Sequence, residues 1–198
     1  MNHSYTVSFC SAPDWTQIPT LELLHTGWLE PCPVAAKAQC CRDENGLWVR
    51  MEAQEAEIRA TLTGPLDAIC TDSCLEFFFA PRTDDHRYFN FEFNPLGAMY
   101  LGFGSKRATR VRQIVKDPQN LFRPKPFFTE NGWGIQFYIP LEFLRVYYPD
   151  YRFEGEAACN FYKCGDLTVV PHYLAWAPLL CDTPDYHRRE DFGHLLFE

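Results

Sequence analysis

The stretch Tyr88-Phe89-Asn90-Phe91-Glu92-Phe93-Asn94 carries phenylalanine at every second position without a break. Successive side chains of a strand point to opposite faces. Phe89, Phe91 and Phe93 therefore share one side, and Tyr88, Asn90, Glu92 and Asn94 the other. Asn94-Pro95-Leu96-Gly97 reads as a turn, with proline fixing φ at the second position and glycine at the fourth. The return run Met99–Gly104 sends Met99, Leu101 and Phe103 to the phenylalanine side and Tyr100, Gly102 and Gly104 to the opposite one. Two glycines inside a strand mark a place where something approaches the backbone closely.

The same alternation extends outward from this hairpin. Strand-like runs bounded by Gly, Pro, Asn and Asp fall near 47–63, 75–80, 87–93, 99–104, 133–139, 157–164, 172–177 and 192–197. The segment "PLEFLRVYY" from Pro140 reads as a short helix with proline at its start. Many short strands between turns predict an all-β fold, an antiparallel β-sandwich or jelly roll with one or two short helices. Residues 1–198 read as a single domain, with about the first 40 residues, rich in turn signals, laid as a strap over the sandwich.

A chain of 198 residues is long enough to bury a sizeable core without staples. The 18 basic and 26 acidic residues give a net charge of −8. That balance excludes a sequence-independent nucleic-acid binder, which needs a basic stripe, and disfavours an anionic membrane surface. The short basic run Lys106, Arg107, Arg110 and Arg112 reads as a solvated strand end or loop rather than a phosphate site. No secretory signal is evident at residues 1–10 and the nine cysteines are an odd number, which together predict reduced thiols in a cytoplasm. A secreted location follows instead if a leader has been removed. The cysteine gaps lack the C-x2-C spacing of a zinc knuckle, so most thiols read as buried and inert.

Carried through the other strands, alternation puts Glu76, Gln136, Tyr138, Asn160 and Tyr162 on the non-core face. His172 and Trp176 are assigned to it as well. This face holds amides, acids and rings and almost no lysine. Three readings stand. One is a wet face of an antiparallel sheet. Another is a face covered by the N-terminal strap, with amides tying down its backbone. The third is a concave surface for a polyol, whose hydroxyls suit planar amides and carboxylates and whose C–H patches suit rings.

The order of "DSCLEFFFAP" (72–81), "YFNFEFNPLGAMY" (88–100), "GWGIQFYIPLEFL" (132–144), "WAPL" (176–179) and "DYHRREDFGHLLF" (185–197) resembles the family 9 carbohydrate-binding modules, β-sandwiches related to DOMON domains. These pieces and their spacing span about two thirds of the chain. The resemblance implies non-catalytic binding of plant-type oligosaccharides, polysaccharide ends or small sugars, in the service of carbohydrate catabolism and often beside xylanase domains. The family clamps a sugar between two tryptophans. Trp176 matches the second of them. The first would precede the "DSCLEFF" strand, where this chain has "LDAICTD" instead, so Trp28 or a tyrosine would have to supply that ring. Glu76 matches the family carboxylate that hydrogen-bonds hydroxyls, and Asn90 falls near a polar family position. Glu92, Tyr88, Tyr100 and Tyr138 complete the candidate ligand set. The resemblance also implies structural calcium in some members, for which Asp43, Glu44 and Asn45 are the candidates here. A plain turn is the competing reading of those three residues.

Two other functions remain open on the sequence. A glycoside hydrolase needs two carboxyls flanking one bond, and Glu76 and Glu92 share a face. A DOMON-like protein would hold haem or a redox ligand. No phosphate loop, nucleophile elbow or zinc helix is present. The cluster Asp185, His187, Arg188, Arg189, Glu190 and Asp191 reads as an ion-paired loop whose charges reach the rim of the site.

Overall fold

The computed structural model describes residues 3–198. Its strands are β1 (Ser4–Phe9), β2 (Leu21–Glu22), β3 (Ala35–Arg42), β4 (Gly46–Gln54), β5 (Cys74–Ala80), β6 (Tyr88–Phe93), β7 (Met99–Gly104), β8 (Val111–Arg112), β9 (Lys125–Thr129), β10 (Gly132–Pro140), β11 (Gly155–Cys164), β12 (Tyr173–Ala175) and β13 (Gly193–Phe197). Two short helices, α1 (Pro118–Phe122) and α2 (Leu141–Tyr147), lie between strands.

Two curled layers result. The first runs β8-β7-β6-β5-β11-β13-β1, with β12 on the far half of β11. The second runs β1-β3-β4-β10-β9, with β2 on β3. β1 belongs to both. Ser4–Val7 pair in parallel with β13, and Ser8 and Phe9 then pair in parallel with β3. One strand thereby stitches the sandwich along an edge.

The alternation of the opening hairpin sets the core. Leu75, Phe77, Phe79, Phe89, Phe91, Phe93, Leu101 and Phe161 of the first layer meet Val49, Met51, Ile135, Phe137 and Ile139 of the second in one buried cluster. Phe77 stacks on Phe161 at 4.7 Å between ring centroids, and Phe93 meets Phe137 across the layers at 4.6 Å. Each such ring contributes about 1.5–3 kcal/mol by leaving water. The helix read from Pro140 forms as α2, with Pro140 at its N-cap. Its Phe143 and Tyr147 close the open end of the core against Phe89.

Three expectations need correction. The N-terminal 40 residues are not only a strap: β1 and β3 are integral strands, because Tyr5, Val7, Ala36, Ala38 and Cys40 alternate into the core. Between them, the segment around Trp15–Ile18 lies across the second layer, where Gln39 Nε2 donates to the carbonyls of Trp15 and Ile18 and Trp15 Nε1 donates to Gln136 Oε1, while His25 bridges to Ala175 of the first layer. The run begun at residue 47 stops at Gln54 rather than continuing to Thr63. Beyond it the buried Asp72 carboxylate captures the amides of Thr61 and Leu62 and ion-pairs with Arg59, which holds the backbone as a loop. Finally, Gln136 and Tyr138 belong to β10, so they lie on the outside of the second layer, while Glu76, Asn90 and Glu92 lie on the outside of the first.

Candidate saccharide-binding cleft

Register builds the site. β5 and β6 pair Glu76 directly with Glu92 and Phe78 with Asn90; β11 pairs Tyr162 with Glu76 and Cys164 with Cys74. Side chains directly opposite one another lie about 5 Å apart at Cβ. The outer face of the first layer thus carries two facing carboxyls at its centre. They form the floor of a cleft of about 100 Å³. Trp28, Tyr173 and Tyr186 make an aromatic wall, and Arg107 and Arg110 stand at the basic side. Asp166, Asp185 and His187 complete the rim. Arg107, Asp185 and His187 also border a larger hollow, of about 760 Å³, that adjoins the cleft.

The aromatic wall is braced from behind. Trp28 sits edge-on to Tyr173 at 5.5 Å and tilted against Tyr186 at 5.7 Å, and its indole N–H donates to the Cys181 carbonyl at 2.8 Å. Tyr186 stacks on Tyr162 at 4.0 Å, and its hydroxyl donates to the Lys163 carbonyl. On the basic side, Arg110 donates from Nε to the Tyr100 hydroxyl at 3.0 Å and from Nη1 to the Arg107 carbonyl. The hairpin glycines serve this packing. A Cβ at 102 would overlap Asn90 Oδ1, and one at 104 would meet the backbone of Arg110.

Electrostatics single out the floor. Glu76 and Glu92 are 3% and 4% exposed. Burial and then the neighbouring Glu92 push Glu76 well above the usual carboxylate range. Burial raises Glu92 to about 7, opposed by the positive charge of Arg110. Each carboxyl has one protein partner: Cys164 donates its thiol to Glu76 at 2.9 Å, and Asn90 donates from Nδ2 to Glu92 at 2.8 Å. Their remaining hydrogen-bonding capacity faces the cleft. Burial and the charges of Arg110 and Arg107 lower His187 to about 3, and its Nδ1 is hydrogen-bonded with the Tyr88 hydroxyl at 2.9 Å.

The sequence-assigned residues divide accordingly. Glu76 and Glu92 line the cleft. Tyr100 stands one layer back, holding Arg110. Asn90 and Tyr88 are fully buried beneath their neighbours and reach the cleft only through Glu92 and His187. Tyr138 is on the other layer, where its hydroxyl donates to Asp43 and its ring packs on Trp48. Trp176 is a correction. It points into the core, 7% exposed and edge-on to Phe161 at 5.8 Å. The strand phase around it is shifted by one, so Tyr173, and not Trp176, faces the cleft.

The covered-face reading describes part of the surface, with a different cover. Residues 177–192 lie over the first layer. Asn160 receives the Ala177 amide and donates to its carbonyl, while Phe192 and His187 pack on Phe78 and Tyr88. Arg188 ion-pairs with Asp191 and Glu190 in that segment, and His187 and Asp185 reach the rim. Tyr173, Tyr186, Asp166 and Cys70 line the cleft without having been singled out as ligand groups; the basic run is largely solvated, with Lys106 and Arg107 exposed, but Arg107 and Arg110 also border the cleft.

Calcium does not fit the 43–45 turn. Asp43 Oδ1 already accepts from the Asn45 amide and the Tyr138 hydroxyl, and Oδ2 from the Trp48 indole. It closes the β3–β4 hairpin. Among the described residues, the side chains able to meet at one ion are Cys74, Glu76 and Cys164.

Comparison with known proteins agrees with this geometry. The model of carbohydrate-binding family 9 matches residues 28–197. The chain belongs to this family. A Bacteroides uniformis protein, whose carbohydrate-binding role is itself a provisional assignment, is similar along the whole of both chains, with a TM-score of 0.86 at 24% identity. A family 9 carbohydrate-binding module from Caldicellulosiruptor kristjanssonii, solved with glucose, matches 99% of this chain and 96% of its own, with a TM-score of 0.70 at 13% identity. Its complex with cellotriose matches 99% and 94%, with the same score and identity. At these identities the solved structures establish the family 9 fold. No curated protein sequence matches the chain.

Proposed function

We propose that this family 9 chain binds the terminal ring of a neutral oligosaccharide or small sugar, without cleaving it, in the cleft above Glu76 and Glu92. The observation that carries the reading is the facing carboxyl pair set against the Trp28–Tyr173 wall. A protonated carboxyl donates to a hydroxyl and an ionised one accepts, so a buried pair with both carboxyls pushed up, Glu92 to about 7, serves both senses of a sugar hydroxyl. The ring wall covers the C–H face. Arg110, on the opposite side, offers further donors to hydroxyl oxygens.

The cleft's small volume favours one ring, hence a chain end, over an internal stretch of polymer. Glucose and cellotriose, the ligands of the Caldicellulosiruptor module, make gluco-configured ends the first to try. At about 0.3 kcal/mol per heavy atom, a disaccharide reaches roughly 7 kcal/mol, which corresponds to a dissociation constant near 10 μM at best. The nine free thiols support a reducing compartment, where such a protein would meet imported saccharides during their breakdown.

Calorimetry with glucose, cellobiose, cellotriose and xylobiose tests the reading. Binding that disappears in Glu92→Ala, with every sugar recovered intact by chromatography, supports it. Absence of binding to any of them overturns it. Turnover that is lost in Glu76→Gln would make the pair catalytic instead.

A further inference from the structure

We propose that Cys74, Cys164 and Glu76 form a site for one soft divalent cation of the zinc class, set into the floor of the cleft. The fold places all three donors. Cys74 and Glu76 are two apart on β5, so they share its outer face, and the β5–β11 register sets Cys164 directly opposite Cys74. Their sulfur and oxygen atoms all lie within 4.8 Å of one another. The Cys164 thiol is 2.9 Å from Glu76 Oε1. A tetrahedral ion with bonds of about 2.3 Å to sulfur and 2.0–2.2 Å to oxygen spans donors roughly 3.5–3.8 Å apart, so small side-chain adjustments bring the trio onto one ion.

The chemistry of the donor set chooses the metal. Two thiolates exclude calcium and magnesium, which take hard oxygen ligands, and suit zinc or cadmium. The crowding of further donors around the trio is a second observation. Glu92 faces Glu76 across the strand pair, and the Cys70 side chain lines the same cleft. Two carboxyls and three thiols thus gather at one floor, with Arg110 and Arg112 acting on the carboxyls and Lys163 on Cys74. A thiol or a carboxyl becomes a ligand by giving up its proton, and a divalent ion supplies the counter-charge that those ionised donors need in a buried floor.

Glu76 and Cys164 border the cleft while Cys74 lies behind them. The fourth position on the ion therefore opens toward the cleft, available to water or to a hydroxyl. Binding sends the two thiol protons, and the proton of the Glu76 carboxyl where it is protonated, to solvent as the three donors ionise. The donors are placed by strand register alone, so this inference stands apart from saccharide binding.

The test is a cadmium titration of the reduced, chelator-washed full chain, followed by the ultraviolet thiolate-to-cadmium charge-transfer band and by metal analysis. One equivalent with a saturating band is expected. The double variant Cys74→Ser/Cys164→Ser should lose the band. Glu76→Gln should weaken binding roughly tenfold or more, and Cys10→Ser, remote from the trio, should leave it unchanged. Circular dichroism checks the fold of each variant; should the double variant unfold, Cys164→Ala and Glu76→Gln alone carry the test. No band in the wild type, or a band that survives loss of both thiols, overturns the site. Calorimetry with cellobiose on the same samples keeps the two ideas apart: sugar binding without a cadmium band defeats only the metal site, and the band without sugar binding defeats only the saccharide reading.

Discussion

Two groups of buried carboxyls, Glu55 on one hand and Glu76 with Glu92 on the other, sit at nearly equal depth and do opposite things. Glu55 is 3% exposed. It accepts from the Trp133 indole at 3.0 Å and the Ser73 hydroxyl at 2.8 Å, and it ion-pairs with Lys163 at 3.1 Å. Lys163, wholly buried, also donates to the Cys164 carbonyl and to His172 Nε2 at 2.7 Å. Burial and the charge of Lys163 hold His172 below its ordinary pKa. The ring is therefore neutral, with Nδ1–H donating to the Val170 carbonyl, and its 3.6 Å approach to Glu55 is not an ion pair. This network joins the end of β4 and β10 in one layer to β11 in the other. Its polar atoms are turned toward one another. At the cleft, Glu76 and Glu92 are turned toward each other and toward open space. Depth alone marks neither as functional; the direction of the unused hydrogen-bonding capacity does.

Breaking the Glu55 network should have the largest effect on the molecule. Lys163→Met leaves Glu55 buried without its cation, which costs about 3–5 kcal/mol. For a chain of this size that lowers the melting temperature by roughly 10 °C or more, measurable by calorimetry. A variant that melts within a degree or two of the wild type would show that Glu55 is not fixed by Lys163.

The opposite sign is expected at the cleft. Glu92 titrates near 7 in the fold, against 4.5 when free. A carboxyl with a raised pKa favours the folded state below about pH 4.5 and loses that contribution as pH climbs through 7. Glu92→Gln removes the loss, so the variant should exceed the wild type in stability above pH 7, by on the order of 3 kcal/mol, and match it near pH 4.5. The comparison must be between the two proteins. His187, held low by burial, titrates against the trend, since its neutral form is favoured above pH 6.5 and that contribution fades as pH falls. Denaturant melts from pH 4.5 to 8 check this, and a difference independent of pH would remove Glu92 as the titrating group. The stabilised variant should bind sugar more weakly, the exchange expected where a strained site is functional.

The aromatic wall comes next. Tyr173→Ala removes about 100 Å² of ring contact, or about 2.5 kcal/mol, a loss of roughly 50–100-fold in affinity for cellobiose. Its folding stability should change little, because Tyr173 is only half-buried. Retained affinity would move the ring platform elsewhere, with Trp28 and Tyr186 the remaining candidates.

How much of this was legible in the chain follows from period-two logic. Where Phe, Leu or Ile filled one phase, as in 75–79, 89–93 and 135–139, the core face was readable residue by residue, and Glu76 and Glu92 fell on the opposite face with it. Alternation gives a face but not a layer. Nothing local in Tyr138 or Gln136 says that β10 pairs with β4, so they looked equivalent to Glu76. Arg107, Arg110, Tyr186 and His187 lie outside strands and reach the cleft through the path of long connections, which no short-range pattern encodes. Asp72 shows a further limit: its hold on Thr61 and Leu62 ends a run that alternation alone would have extended.

The smallest expected effect tests where that logic slipped. In "HYLAWA" both phases carry an aromatic, so a one-residue shift exchanges Trp176 for Tyr173 with no loss of hydrophobic pattern. A slip of one residue turns every side chain to the other face. The pairing of Tyr162 with Ala175 decides the phase, because Ala175 follows Tyr162 outward and Trp176 goes inward beside Phe161. Gly193 leaves the space that the indole fills. Trp176→Phe should therefore lower stability by about 1–3 kcal/mol, as a smaller ring in a packed site does, while cellobiose affinity stays within about twofold, under 0.5 kcal/mol. Tyr173→Phe is the paired control, since it keeps the wall and alters only a hydroxyl. A tenfold loss of affinity in Trp176→Phe with unchanged melting would put the indole back at the ligand and reverse the assigned phase of β12.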